Sequence, residues 1–252
     1  MISWLIRFVP RKYLQRVSGL GRRAAGLWLR GKGSTCPVCG NSYRHFLPYG
    51  RLRSRPNALC PGCLSLERHR LIWIFLQRRT EFFSRQMDVL HIAPEQCFIG
   101  PFTACHGERY ITADLESPWA KVKMDIHHMP FADNTFDAVL CNHVLEHVQD
   151  DIQAMREIKR VLKPGGWAIL QIPFFHPVPD QTFSDDSVTD ARTRERLFGQ
   201  ADHVRRYGRD YAERIRVAGL VPDEDEFAFS LSPEECKAHG LVPENMYVGR
   251  KA

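Results

Sequence analysis

A chain of 252 residues with 44% hydrophobic and 25% charged residues can bury a full core, and its composition is ordinary for a soluble globular protein. No apolar run approaches the ~20 residues that span a bilayer, and the first residues (MISWLIRFVP) carry Arg7 inside a short apolar run with no small-residue cleavage site, which argues against a signal peptide. The net charge of +6 hides a split: residues 1–66 hold twelve Lys/Arg and no acid, whereas the rest holds 23 basic against 29 acidic residues. The expected compartment is therefore the cytoplasm, with an amino-terminal part that either meets an anionic partner or presents a solvated basic face.

Residues 1–33 read as a basic amphipathic helical arm broken near Gly19 and Gly21, with Trp4, Leu5, Phe8, Leu14, Val17, Leu27 and Trp28 set among Arg7, Arg11, Lys12, Arg16, Arg22 and Arg23. Aromatic and aliphatic residues beside Arg/Lys suit the inner face of an anionic membrane, and equally a helix packed on the protein's own core. Residues 34–66 form a module with Cys36-Pro-Val-Cys39 and Cys60-Pro-Gly-Cys63, two C-x2-C pairs separated by twenty residues. Four thiolates on two tight knuckles suit a tetrahedral structural Zn²⁺, and a reducing compartment favours metal over disulfides. Such a closed site has no open position for water, so its role is either to staple the module or to hold Arg51, Arg53 and Arg55 against an anion. Leu64–Phe83 has the helical period, with Leu66, Leu71, Ile74, Phe75 and Phe82 apolar. It is expected to give a linking helix over 67–86 before a domain over 87–252.

That domain opens with expected strands at Met87–Ala93 and Tyr110–Asp114. Asp125 then follows a short apolar segment, MPFADNTFD forms a polar connection, and Phe136–Cys141 reads as a strand ending at Asn142-His143. An amphipathic helix comes next, with Val148, Ile152, Met155, Ile158 and Leu162 as its stripe. Lys163-Pro-Gly-Gly166 closes it before a strand over Trp167–Ile172. Asp202–Ala218 reads as a helix stopped by Gly219, and Phe227–Phe229 and Met246–Val248 as short strands. Over 87–250 this order closely resembles class I S-adenosylmethionine-dependent methyltransferases, in particular the small-molecule branch carrying the motif VLEHV. The resemblance implies an α/β fold: a doubly wound, mostly parallel, seven-stranded Rossmann-like methyltransferase sheet, here with a small zinc module and basic helix before it.

The resemblance also implies a cofactor site. Asp114 matches the acid that accepts the ribose hydroxyls, with Leu115 against adenine. Asp125 matches the acid that meets the adenine amine, with the Ile126 amide at the ring edge. Asn142 and His143 stand where backbone carbonyls hold the methionine amine. The family's first loop is glycine-rich, whereas this chain has His91-Ile92-Ala93-Pro94-Glu95. Ala93 and Pro94 therefore imply a different loop path, with His91 or Glu95 taking over part of the task.

Methyl transfer needs alignment of the acceptor and, for an alcohol or similar nucleophile, a base. Histidines suit that role, and His176, His143 and His203 are the candidates, with His147 read as structural. Thr182–Tyr211 reads as an acceptor-binding lid in which Asp202, His203, Arg205, Arg206 and Tyr207 bond a polar acceptor. Three functions follow: a methyltransferase of a small polar metabolite or saccharide; an RNA methyltransferase gripping phosphates through the zinc module and arm; or an inactive methyltransferase-like binding protein. The fourth strand ends in Asn-His-Val and not in Asn-Pro-Pro-aromatic, which weighs against the RNA reading.

Overall fold

The computed structural model describes residues 26–50 and 54–252, so the expected arm lies largely outside the described residues, as do Arg51 and Arg53. In chain order the strands and helices are β1 (Arg30–Thr35), β2 (Ser42–Tyr43), β3 (Leu47–Tyr49), β4 (Arg55–Leu59), α1 (Glu67–Arg79), β5 (Val89–Ile92), α2 (Gln96–His106), β6 (Tyr110–Asp114), β7 (Val122–Lys123) and β8 (Phe136–Cys141). There follow α3 (Asp151–Val161), β9 (Leu162–Ile169), β10 (Phe183–Ser184), α4 (Ala191–Phe198), β11 (Arg205–Arg206), α5 (Tyr211–Val217), β12 (Val221–Asp225), α6 (Pro233–His239) and β13 (Met246–Arg250).

These fall into two units whose boundaries differ from the expected domains. One takes residues up to Arg85 together with Glu95–Pro101 and Phe227–Glu244, and the other takes Gln86–Pro94, Phe102–Glu226 and Asn245–Ala252. The cysteine module is thus completed by segments from far along the chain. Helix α1, expected as a linker over 67–86 and formed over Glu67–Arg79, is part of its core: its Leu71, Ile74 and Phe75 are buried, as are Leu66 and Phe82 beyond its two ends. Arg70 on α1 is fully buried. Its guanidinium donates to the carbonyls of Ala58 (3.0 Å), Ser65 (2.7 Å), His239 (2.7 Å) and Gly240 (2.7 Å) and lies 4.4 Å from the centroid of the Phe46 ring. Phe227–Ser230 is a 3₁₀ turn and not the expected strand.

The second unit is built on a seven-stranded sheet of order β12-β13-β9-β8-β5-β6-β7. Five strands run parallel, and β13 is antiparallel to both neighbours. This is the doubly wound, mostly parallel seven-stranded sheet expected from sequence. Its central strands read as apolar runs because both faces are covered: all four residues of β5 and five of six in β8 are buried. The core gathers Leu90, Val139, Leu145, Met155, Ile158, Leu170 and Tyr211.

Several boundaries move for local reasons. Helix α3 starts only at Asp151, because Asp150 caps it by accepting the Gln153 N–H at 2.8 Å. Strand β9 already begins at Leu162, with Pro164-Gly165 accommodated by a register shift against β8 and Gly165 at φ +75°. It ends at Ile169, three residues short of the expected end. Of the helix expected over 202–218, only Tyr211–Val217 forms, because Arg205–Arg206 pairs as a strand with Phe183–Ser184.

Candidate functional site

The strand order reverses beside β5, with β6 and β7 on one side and β8 and β9 on the other. Ligands of open α/β sheets bind beyond the carboxyl ends of the strands at such a reversal. Two loops leave the sheet there side by side, since Ile92 pairs with Cys141. Ala93 takes φ +50° and donates its N–H to the Ala113 carbonyl at 2.9 Å; His143 takes φ +53° and donates to the Gln171 carbonyl at 2.7 Å. Left-handed backbone costs a residue with a Cβ roughly 1–2 kcal/mol, and such strain gathers at functional sites. Ala93 thus adopts a backbone conformation that glycine takes at no steric cost.

The two carboxylates follow on neighbouring strands. Asp114 ends β6, and its Oδ1 accepts the N–H groups of Glu116 (2.8 Å) and Ser117 (2.6 Å). Asp125 stands two residues beyond β7, and its Oδ1 accepts the His127 N–H (2.9 Å) and faces His127 Nδ1 (2.7 Å). These bonds, the His127 amide first, hold the Asp125 carboxyl below its ordinary range, so it is anionic at neutral pH. In each case Oδ1 fixes the side chain and Oδ2 has no partner among the described residues. Leu115, beside Asp114, is 65% exposed, whereas Ile126 is buried.

Two expected cofactor residues are corrected. The His91 ring is fully buried, with Nδ1 2.6 Å from the Tyr110 hydroxyl, so it is turned into the core. Glu95 belongs to the other unit and faces His69 Nε2 at 3.8 Å. Asn142 is buried at the end of β8.

The histidines separate clearly. His176 is exposed after β9 and makes no hydrogen bond among the described residues. His143 Nδ1 lies 3.4 Å from Glu146 Oε1, a carboxylate that sequence reasoning did not single out. Burial works to raise the Glu146 carboxyl, but the His143 hydrogen bond and the His143 and His147 charges outweigh it and hold it low. His203 is fully buried, its Nδ1 3.0 Å from the Phe198 carbonyl, and burial pushes its pKa down. Its ring packs edge-on against His147, centroids 4.8 Å apart.

The expected lid residues also serve the fold. Arg205 donates to the carbonyls of Leu145 (2.5 Å), Val148 (2.7 Å) and Gln149 (2.7 Å), Arg206 to those of Phe175 (3.0 Å) and Pro177 (2.5 Å), and the Tyr207 hydroxyl to Asp151 Oδ2 (3.0 Å). These bonds commit Nη1 and Nη2 of Arg205, Nη2 of Arg206 and the Tyr207 hydroxyl to the fold, and Asp202 has a side chain that is 65% exposed.

In the first unit the cysteines come together as expected. Cys36 Sγ lies 3.6 Å from Cys63 Sγ and Cys39 Sγ 3.8 Å from Cys60 Sγ, and none forms a disulfide. Tetrahedral thiolates about 2.3 Å from zinc lie roughly 3.8 Å apart, so the set fits the ion. The two knuckles are built alike: Gly40 N–H bonds to the Cys36 carbonyl and Leu64 N–H to the Cys60 carbonyl, both at 2.9 Å, with φ of +70° and +65°. Gly62 is needed for a different reason, since a Cβ there would lie 2.1 Å from the Tyr43 hydroxyl.

Residues 104–170 match the model of a methyltransferase domain family. This methyltransferase-domain match spans β6 to β9 and includes Asp114, Asp125, Asn142 and His143. An uncharacterised methyltransferase of Schizosaccharomyces pombe is 55% identical over 42 residues, 17% of this chain and 15% of that protein. The ubiquinone/menaquinone biosynthesis C-methyltransferase UbiE of Haemophilus ducreyi is 44% identical over 59 residues, 23% of this chain and 22% of that one. The chain thus spans less than a quarter of the length of these curated relatives. Among solved structures, an S-adenosylmethionine-dependent methyltransferase from Mesorhizobium loti aligns over 71% of this chain and 97% of its own at 15% identity, with a TM-score of 0.49. No helix among the described residues is long and apolar enough to cross a membrane.

Proposed function

We propose that the chain is an S-adenosylmethionine-dependent methyltransferase of a small polar acceptor, with a structural zinc ion in its amino-terminal unit. The observation that carries the reading is the pair of braced carboxylates, Asp114 and Asp125, on adjacent strand ends next to the reversal point, inside the methyltransferase-domain match. Bound there, S-adenosylmethionine would supply a methyl group already activated by its sulfonium. Asp114 would hold its ribose hydroxyls, exposed Leu115 would cover the adenine, Asp125 would take the adenine amine, and the backbone of Ala93 and of Asn142-His143 would receive the methionine end.

His176 is the imidazole assigned to acceptor deprotonation. Its exposure and freedom from structural bonds support this role, whereas His143 is fixed by Glu146 and His203 is sealed in the core. Positioning contributes up to ~7–11 kcal/mol to such a transfer at the ideal limit, and a base ~10²–10⁴-fold. Cys36, Cys39, Cys60 and Cys63 hold zinc with no open coordination position, so that ion organises structure and takes no part in transfer.

Calorimetry on the full chain tests the reading. S-adenosylmethionine and its demethylated product are expected to bind with equimolar stoichiometry and raise the melting temperature. Absence of both heat and thermal shift with either compound would sink it.

A further inference from the structure

A second group of metal-ligating side chains lies in the sheet-bearing unit, with no cysteine in it. One ligand atom from each of Glu146, His147 and His203 falls within 4.8 Å of the others. Ligands about 2.0–2.2 Å from a tetrahedral ion lie roughly 3.3–3.6 Å apart, so the side chains would draw in by up to about 1.5 Å on binding.

Two buried polar atoms of this group have no hydrogen-bond partner among the described residues. Glu146 is 1% exposed, and while Oε1 meets His143, Oε2 is buried with no partner among the described residues. His203 is 0% exposed, and while Nδ1 donates to the Phe198 carbonyl, Nε2 is likewise buried with no partner among them. An orphaned buried polar group costs about 1–3 kcal/mol, and this cluster holds two. His147 repeats the pattern, its Nδ1 lying 3.1 Å from the Asp202 carbonyl and 3.6 Å from Asp202 Oδ2. An Nδ1–H engaged by a carbonyl makes Nε2 the lone-pair nitrogen and fixes the ring, which is how metal-binding histidines are oriented.

The fold brings the three together deliberately. Arg205 gathers the Leu145, Val148 and Gln149 carbonyls around its guanidinium, and the Val204 N–H bonds to the Glu146 carbonyl at 2.9 Å. His203, two residues before Arg205, is thereby held over the Glu146-His147 turn. The His147 side chain, 35% exposed, marks the way in.

The geometry points to a second metal site, in which Glu146, His147 and His203 bind a divalent first-row transition ion. Two neutral imidazoles and one carboxylate suit such ions, zinc among them, better than calcium or magnesium. Three protein ligands leave coordination positions for water or an oxygen-bearing ligand, unlike the closed four-thiolate site.

The test is metal stoichiometry on the full chain after equilibration with micromolar zinc and gel filtration. Two equivalents are expected, falling to one in His147→Ala and in Glu146→Gln, with far-ultraviolet dichroism unchanged. His147, being partly exposed, keeps the test valid should Glu146→Gln fold poorly. Replacing zinc by cobalt should show thiolate-to-metal charge transfer for one equivalent only. One equivalent in the parent chain, or two in folded His147→Ala, overturns the proposal.

Discussion

Arg70 Nη2 donates to the carbonyl of Gly240 at 2.7 Å across 170 residues of sequence, while Nη1 holds Ser65, two residues after the last of the four clustered cysteines. One buried guanidinium therefore ties the second cysteine knuckle to the carboxyl end of α6. Arg70→Met would remove this donor from the carbonyls of Ala58, His239 and Gly240, whereas the Ser65 carbonyl keeps the Cys60 N–H at 2.9 Å. At about 1–3 kcal/mol for each orphaned group, the loss is expected to exceed 3 kcal/mol in chemical denaturation. Arg70→Lys, with a compact ammonium in place of the planar fork, should recover only part of it. Both variants should release zinc to a chelator faster than the parent chain.

Replacing Ala93 by glycine relieves the left-handed strain of roughly 1–2 kcal/mol and returns part of it as backbone entropy, roughly 0.5–1 kcal/mol. A gain of about 0.5–1 kcal/mol is expected, and Ala93→Val should lose stability. A melting temperature lowered by the glycine would show that φ +50° is not a strained state here.

Asp151 is 1% exposed, bonded by Arg214 at 2.9 and 2.5 Å and by Tyr207 at 3.0 Å, with Arg205 at 3.7 Å. Burial works to raise its carboxyl, but the Arg214 bond and the two arginine charges outweigh it and hold the pKa below the ordinary value of 3.8. A depressed folded pKa gives stability that is complete above the unfolded value and lost as pH falls through the folded one. Asp151→Asn should therefore cost about 3–5 kcal/mol at pH 7, as when one partner of a buried pair is removed. Its penalty should shrink progressively below about pH 4. An unchanged pH slope in urea titrations would contradict this account.

The central stretch was legible in sequence because its signals are local. Phe136–Cys141 and Tyr110–Asp114 form as strands over the expected residues, since short apolar runs bounded by turn formers leave little choice. The four cysteines converge for a similar reason, their spacing being the site. What was hidden depends on distant residues. Nothing near Arg70 announces Gly240 as its partner, and nothing near Phe227–Glu244 announces membership of the cysteine-bearing unit. Arg205 and Tyr207 resembled acceptor ligands because polar residues in a loop look alike until the carbonyls of residues 145–149 and the carboxylate of Asp151 are placed beside them. His91 misled similarly, its partner Tyr110 lying on the neighbouring strand. The adjacent acid and imidazole of Glu146-His147 were a visible signal, but His203 completes that cluster from well over fifty residues away.

Asp114→Asn offers the sharpest probe of the cofactor reading. The asparagine keeps an oxygen to accept the Glu116 and Ser117 amides, so the turn after β6 should survive. What changes is Oδ2, where an anionic acceptor becomes an amide donor. Charge-assisted hydrogen bonds are worth about 1.5–3 kcal/mol, so affinity for S-adenosylmethionine should fall roughly 10- to 100-fold with the melting temperature of the free protein nearly unchanged. His176→Ala should behave in the opposite way, leaving cofactor affinity intact and lowering the rate of transfer by ~10²-fold or more. Equal cofactor affinity in Asp114→Asn and the parent chain would remove Asp114 from the site.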